Sequence, residues 1–180
     1  MNYLCHSGVK GMKWGVRNGP PYPINSKFSN PDGLSVAMKR LKYRNYTRLL
    51  RPETTLREGG SCHDQVMLEL QELRRMGLKP KAKFLMEYND NNQGGMTHSF
   101  VYFKKNKKTY WFENAWSERA GIHEYKSVKD IQKEIRKAHK TGEYGDIKKY
   151  PHIVFTDFNE QNHKYGENLQ EFVDRCFKKG

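Results

Sequence analysis

Cys62 follows Gly59, Gly60 and Ser61 and precedes Asp64 and the apolar positions Val66, Met67, Leu70 and Leu73. Two glycines free the backbone, Ser61 is a helix N-cap, and Asp64 three residues later completes a capping box, so the spacing predicts a helix that begins at Cys62. Unpaired N–H groups and the positive end of the helix dipole stabilise a thiolate at such a place, where cysteine pKa values fall from about 8.5 towards roughly 3.5–7.5. A thiolate of this kind attacks carbonyl carbon. To turn over, it needs an imidazole that takes its proton and returns it to the leaving group, and a third side chain that fixes the imidazole tautomer. His98, in the strand-like run Met96-Thr97-His98-Ser99-Phe100-Val101-Tyr102, and an acid or amide at Glu113 or Asn114 have those side-chain types.

These residues must be positioned by rigid neighbouring elements. The helix opened by Cys62 runs to about Met76, with Gly77 as its C-cap and Pro80 blocking continuation. Three strands follow, over residues 82–88, 97–104 and 109–116, joined by a polar turn at 89–95 and a tight turn at 105–107. A helix followed by an antiparallel meander is an α+β arrangement, with the nucleophile-bearing helix packed on the sheet. The turn sets the register. A two-residue turn on Lys105 and Asn106 places Glu113 opposite His98, and a three-residue turn through Lys107 places Asn114 there; strand alternation forbids both from facing the histidine without a bulge.

The run Gly-Ser-Cys-His-Asp-Gln at 60–65, then Thr-His-Ser-Phe at 97–100, then Trp-Phe-Glu-Asn-Ala-Trp at 111–116 resembles the transglutaminase-like branch of the papain-like cysteine enzymes. The likeness covers about residues 55–130. It implies Cys62 as nucleophile, His98 as base and Glu113 as the orienting group, although Asp is usual at the third position, which leaves Asn114 as a rival. The implied activity is cysteine-dependent acyl transfer, as a peptidase or amidase on a protein or peptide substrate, with transamidation as the variant outcome. No cofactor or metal ion is implied. The backbone N–H of Cys62 is the one oxyanion donor the sequence identifies.

Other residues near the motif carry less chemistry. His63 points about 100° away from Cys62 on a helix and is expected to line the cleft. Gln65 shares a face with Cys62 and is read as a surface residue, with substrate holding as the rival role. His123, His139, His152 and His163 are read as structural or exposed, and Cys176, among Phe172, Val173 and Phe177, as a packing thiol.

The chain has 180 residues, 36% of them hydrophobic, and a net charge of +13, with a mean hydropathy of −0.99. That suits one domain with a small core and a polar surface, from residue 34 to 180, behind a flexible basic leader at 1–33 rich in Gly and Pro. Residues 1–51 hold ten Lys/Arg against Asp32 alone, nine of the thirteen excess positive charges. Residues 34–50 read as a basic amphipathic helix with tyrosines turned to the core. Helices are also predicted over residues 128–138 and 168–177, and a strand over 151–158. No run approaches the ~18 apolar residues of a membrane span. Three cysteines far apart, with no CxxC pair, suggest a reduced compartment.

Residues 5–17, Cys-His-Ser-Gly-Val-Lys-Gly-Met-Lys-Trp-Gly-Val-Arg, resemble a short segment that recurs at the ends of proteins encoded among bacteriophage structural genes. The resemblance implies a phage or prophage protein in the cytoplasm of a bacterial host or associated with the virion, its leader an address to phage structural proteins. It also carries the competing reading, a phage structural or nucleic-acid-associated binding protein that uses the basic arm on an enzyme-like fold.

Overall fold

A computed structural model describes residues 28–44 and 48–177. The leader motif at 5–17 and Tyr46 therefore lie outside the described residues. Among the described residues, five α-helices and five strands follow in the order α1 (Pro31–Met38), α2 (Pro52–Glu58), α3 (Cys62–Arg75), β1 (Lys81–Tyr88), β2 (Gly94–Lys105), β3 (Lys108–Glu113), β4 (Gly121–Tyr125), α4 (Val128–Thr141), β5 (His152–Asp157) and α5 (Leu169–Phe177). The fold is α+β. Its sheet has the order β4-β3-β2-β1-β5 and every pairing is antiparallel.

Side-chain alternation divides the core into two layers. Phe84, Met86, Val101, Phe103 and Phe112 face α1, α3 and α5, together with Leu34, Val66, Leu70 and Phe172. Leu85, Phe100, Tyr102 and Trp111 face α4 through Ile131, Ile135 and Ala138. Phe84, Phe100, Phe112 and Trp111 are each no more than 1% exposed, and burying such a ring is worth about 1.5–3 kcal/mol. Helices thus cover both faces of the sheet. Only α3 is buried along most of its length, and it is the helix that carries Cys62.

Four expectations are corrected. The helix read over residues 34–50 occupies only Pro31–Met38. Beyond it the chain is pulled into extended contact with the residues before α3: Gly60 N donates to Lys42 O at 3.3 Å, Arg44 N donates to Gly60 O at 3.1 Å, and Tyr43 bridges Gly60 in parallel. Tertiary pairing overrides helix propensity there. Residues 31–33, read as leader, form the first turn of α1, which Asn30 caps by accepting from Gly33 N at 2.9 Å. The third strand ends at Glu113 rather than Trp116. Finally, the β2–β3 hairpin turns on Asn106 and Lys107, both at positive φ, so that Lys105 pairs with Lys108 and Val101 with Phe112. Neither expected register occurs. The shift from the two-residue alternative is by two positions, which keeps every side chain on its expected face.

Candidate active site

The N-terminus of α3 is fixed from several directions. Ser61 Oγ accepts from Asp64 N at 3.4 Å, while Asp64 Oδ2 accepts from Ser61 N at 3.0 Å and from Ser61 Oγ at 2.8 Å. The other Asp64 oxygen accepts from Leu50 N at 2.8 Å and from His163 Nε2 at 3.2 Å. Gly59 has φ +81°, and a Cβ there would meet the Lys42 carbonyl, so the strand-like segment through Tyr43 approaches this turn only because the residue is glycine.

Cys62 comes from the α3 side of the sheet, whereas His98, in alternation with Phe100 and Tyr102, belongs to the α4 side. They meet because the β2–β3 ladder stops at Val101↔Phe112. Past that point the strands part, and the tip of α3 enters the gap. Cys62 Sγ lies 4.0 Å from the Thr97 carbonyl oxygen, and Asn114 Nδ2 donates to Gln65 Oε1 at 2.8 Å across the same gap.

His98 Nε2 donates to Glu113 Oε2 at 2.8 Å. Glu113 is the last residue of β3, diagonal to His98 across the ladder and on the same face. Its second oxygen accepts from the backbone N–H groups of Asn114 and Trp116, both at 2.9 Å. The carboxylate is therefore aimed at the imidazole by its own backbone. With Nε2 engaged, Nδ1 is the nitrogen left for the sulfur, and the charges of Cys62 and His98 act on each other.

The charges follow from these contacts. Cys62 is 2% exposed. Burial alone pushes its thiol up, but the charge of His63, its hydrogen bond, and then the hydrogen bond and charge of His98 outweigh burial and bring the thiol down to about 5. For His98, burial pushes the imidazolium down, and the Glu113 charge with hydrogen bonds to Cys62 and Glu113 lifts it to about 10. The resting pair is a thiolate beside an imidazolium.

Two residues, Tyr43 and Gln65, take places the sequence did not assign, while His63 lines the cavity as expected. Tyr43, read as a core residue, is 48% exposed, and its hydroxyl donates to Cys62 Sγ at 3.9 Å. Burial of the phenol oxygen, then the charge of Cys62, keeps Tyr43 protonated well above the usual phenol range. Gln65 is buried rather than on the surface, donating to Gly60 O at 3.0 Å, and Asn114 braces it instead of meeting His98. His63 is 1% exposed; it lines the cavity floor, with its ring nitrogens 2.8 Å from Ser99 Oγ and 3.2 Å from Thr97 Oγ1. A clue to Tyr43 lay in the Gly59-Gly60 pair, which admits a second backbone alongside.

None of the other described histidines lines the cavity. His123 lies 2.7 Å from Arg119 O, His139 3.0 Å from Glu87, and exposed His152 2.6 Å from Asp90. Cys176 is buried in the α3 and α5 core. Among the described residues no group of three or more His, Cys, Asp or Glu side chains is arranged to hold a metal ion, and no helix is long and apolar enough to cross a membrane.

A cavity of about 510 Å³ opens beside this cluster, lined among others by Tyr43, His63, His98, Trp116 and Tyr144. It is large enough for one or two amino-acid side chains and the peptide bond between them. A family model described as "Family of unknown function (DUF7211)" matches residues 1–21, all outside the described residues. No curated protein matches the chain.

Proposed function

We propose that the protein is a cysteine-dependent acyl-transfer enzyme of the transglutaminase-like, papain-like kind, acting on peptides as a peptidase or amidase. The observation that carries this reading is the Cys62–His98–Glu113 chain: a buried thiolate at a helix N-terminus, an imidazolium that lines the cavity, and a carboxylate held by two backbone N–H groups.

Cys62 Sγ attacks the carbonyl carbon of the scissile amide, and the C=O π pair moves onto oxygen. That oxyanion lies by the first N–H of α3, which has no intrahelical acceptor, and by the Tyr43 hydroxyl, which already donates to the sulfur from which the charge departs. The C–N bond then breaks, and His98 Nδ1–H protonates the departing amine. Water attacks the thioester carbonyl, gives its proton to His98, and expels Cys62 as thiolate. An amine in place of water gives transamidation. Glu113 holds the tautomer and charge of His98 throughout.

A peptide library with mass readout tests this directly. Fragments mark hydrolysis, a mass gain marks coupling, and a shift of about one unit marks deamidation; each must vanish in Cys62→Ala. Products that persist in Cys62→Ala, or no product with any peptide, would count against the reading.

A further inference from the structure

The exposed rim of the cavity is acidic although the protein is basic. The chain carries 33 Lys and Arg against 20 Asp and Glu, yet among the described residues none that line the cavity is Lys or Arg, and its charged rim consists of Glu118 and Glu143. Both are exposed. Glu118 is held below the usual carboxylate range by its own backbone N–H and by Ser117, whose hydroxyl donates to it at 2.8 Å. Glu143 follows the C-terminus of α4, where Gly142 caps the helix at φ +78°, and the negative end of the helix dipole adds to its charge.

The rings of Trp116 and Tyr144 line the same cavity as the two carboxylates, with centroids 4.6 Å apart. Aromatic faces beside acids suit a cation on an alkyl stem. The nearest guanidinium, Arg119, lies over Trp116 at 5.7 Å but is paired with Glu134 at 3.5 Å, and it does not line the cavity. A separate observation points to a ligand as well. Tyr144 lines the cavity and is 6% exposed, its ring centroid is 5.9 Å from that of His98, and its hydroxyl has no hydrogen-bond partner. Native proteins seldom bury a hydroxyl unpaired. An amide in the cavity would supply the missing partner, and the rim would hold the cation attached to it.

Resting on the reading of Cys62 as nucleophile, we propose that the substrate is a peptide with lysine or arginine beside the scissile bond, selected by Glu118 and Glu143. The step itself is the hydrolysis already written; the carboxylates bind and do not react.

The test uses the full chain and matched peptides that differ only in Lys, Arg, norleucine, Gln or Glu beside the scissile bond. Lys and Arg peptides should exceed norleucine in kcat/KM by about ten-fold, mainly through KM, and the ratio should shrink between about 50 and about 200 mM salt. Glu118→Gln and Glu143→Gln should each lower that ratio about three-fold, as expected for exposed charge pairs. Glu143→Lys should turn the preference towards Glu peptides. Cleavage indifferent to charge, or a preference that survives the double Gln variant, overturns the proposal. If no peptide is cleaved, the acyl-transfer reading fails instead. Binding of the same peptides to Cys62→Ser, followed by fluorescence anisotropy, then decides the charge selection alone: tighter Lys and Arg binding supports it and equal binding overturns it.

Discussion

His98 and His163 look alike at first. Each is buried, and each donates Nε2–H to a carboxylate, Glu113 at 2.8 Å and Asp64 at 3.2 Å. Each carboxylate in turn accepts from backbone N–H groups, Asn114 and Trp116 for Glu113, Ser61 and Leu50 for Asp64. The difference lies at Nδ1. In His98 that nitrogen is left for Cys62 beside a cavity; in His163 it has no hydrogen-bond partner, and the ring packs among Phe158, Tyr165 and Phe172. A buried histidine–carboxylate pair is a pin in the fold unless its second nitrogen meets a group that can react. Here the pin serves the reactive pair, because Asp64 holds the turn of helix from which Cys62 projects.

The largest effects should separate the two. Cys62→Ala and His98→Gln are expected to lower kcat/KM by about 10³-fold or more per folded molecule, with the Tm of Cys62→Ala within a few degrees of wild type. His163→Gln should do the reverse. Breaking a buried pair costs about 3–5 kcal/mol, a Tm loss of roughly 6–20 °C in a domain of this size, while turnover per folded molecule stays within about ten-fold. Equal turnover in wild type and His98→Gln would erase the distinction.

The carboxylates refine it. Glu113→Gln should reduce kcat by about 10²-fold, since a neutral amide neither attracts the imidazolium nor fixes its tautomer. Asn114→Ala should cost only about three-fold, by loosening Gln65. The opposite ranking, in steady-state kinetics, would move the third role to Asn114.

The pH dependence follows in sign from the two groups. Below about pH 5 the Cys62 thiolate takes a proton and attack fails; above about pH 10 His98 loses the proton it must give to the leaving amine. The kcat/KM profile should therefore be flat between those limits. A profile falling through pH 6–7 would mean that the histidine resembles a solvated one.

A smaller effect tests the cavity wall. Gly145 has φ +73°, and a Cβ there would collide with the Glu87 carboxylate, which accepts from Asp146 N at 3.0 Å and Met96 N at 3.3 Å. Gly145→Ala should displace the Tyr144 loop and raise KM several-fold while leaving the alkylation rate of Cys62 unchanged.

What could be read in the sequence was local. The Ser61–Asp64 capping box, the Gly77 stop and the alternation in β1, β2 and β3 announced helix and meander, and with them the elements bearing Cys62, His98 and Glu113. The face of Glu113 hung on the turn, which the sequence left open between two and three residues; the two-residue turn that forms keeps Glu113 on the face of His98, and because it falls on Asn106-Lys107 the contact is diagonal. Long-range pairing stayed hidden. Residues 39–50 have helical periodicity, but residues 42–44 are drawn out by Gly60, and that pairing brings Tyr43 to the sulfur. The short α2, despite Pro52 at its first turn, and β4, which pairs with β3 through Thr109↔Tyr125 to Glu113↔Gly121, offered too few residues for a periodic signal.

The most direct measurement is the rate of Cys62 alkylation by iodoacetamide against pH, followed by mass spectrometry of the peptide that contains it. If His98 and His63 hold the sulfur as thiolate, the rate should rise through an inflection near pH 5 and already be high at pH 6, with Cys176 far slower; in His98→Gln the inflection should move up. An inflection near the ordinary thiol value of about 8.5, unchanged by His98→Gln, would contradict the thiolate–imidazolium pair on which the proposed chemistry depends.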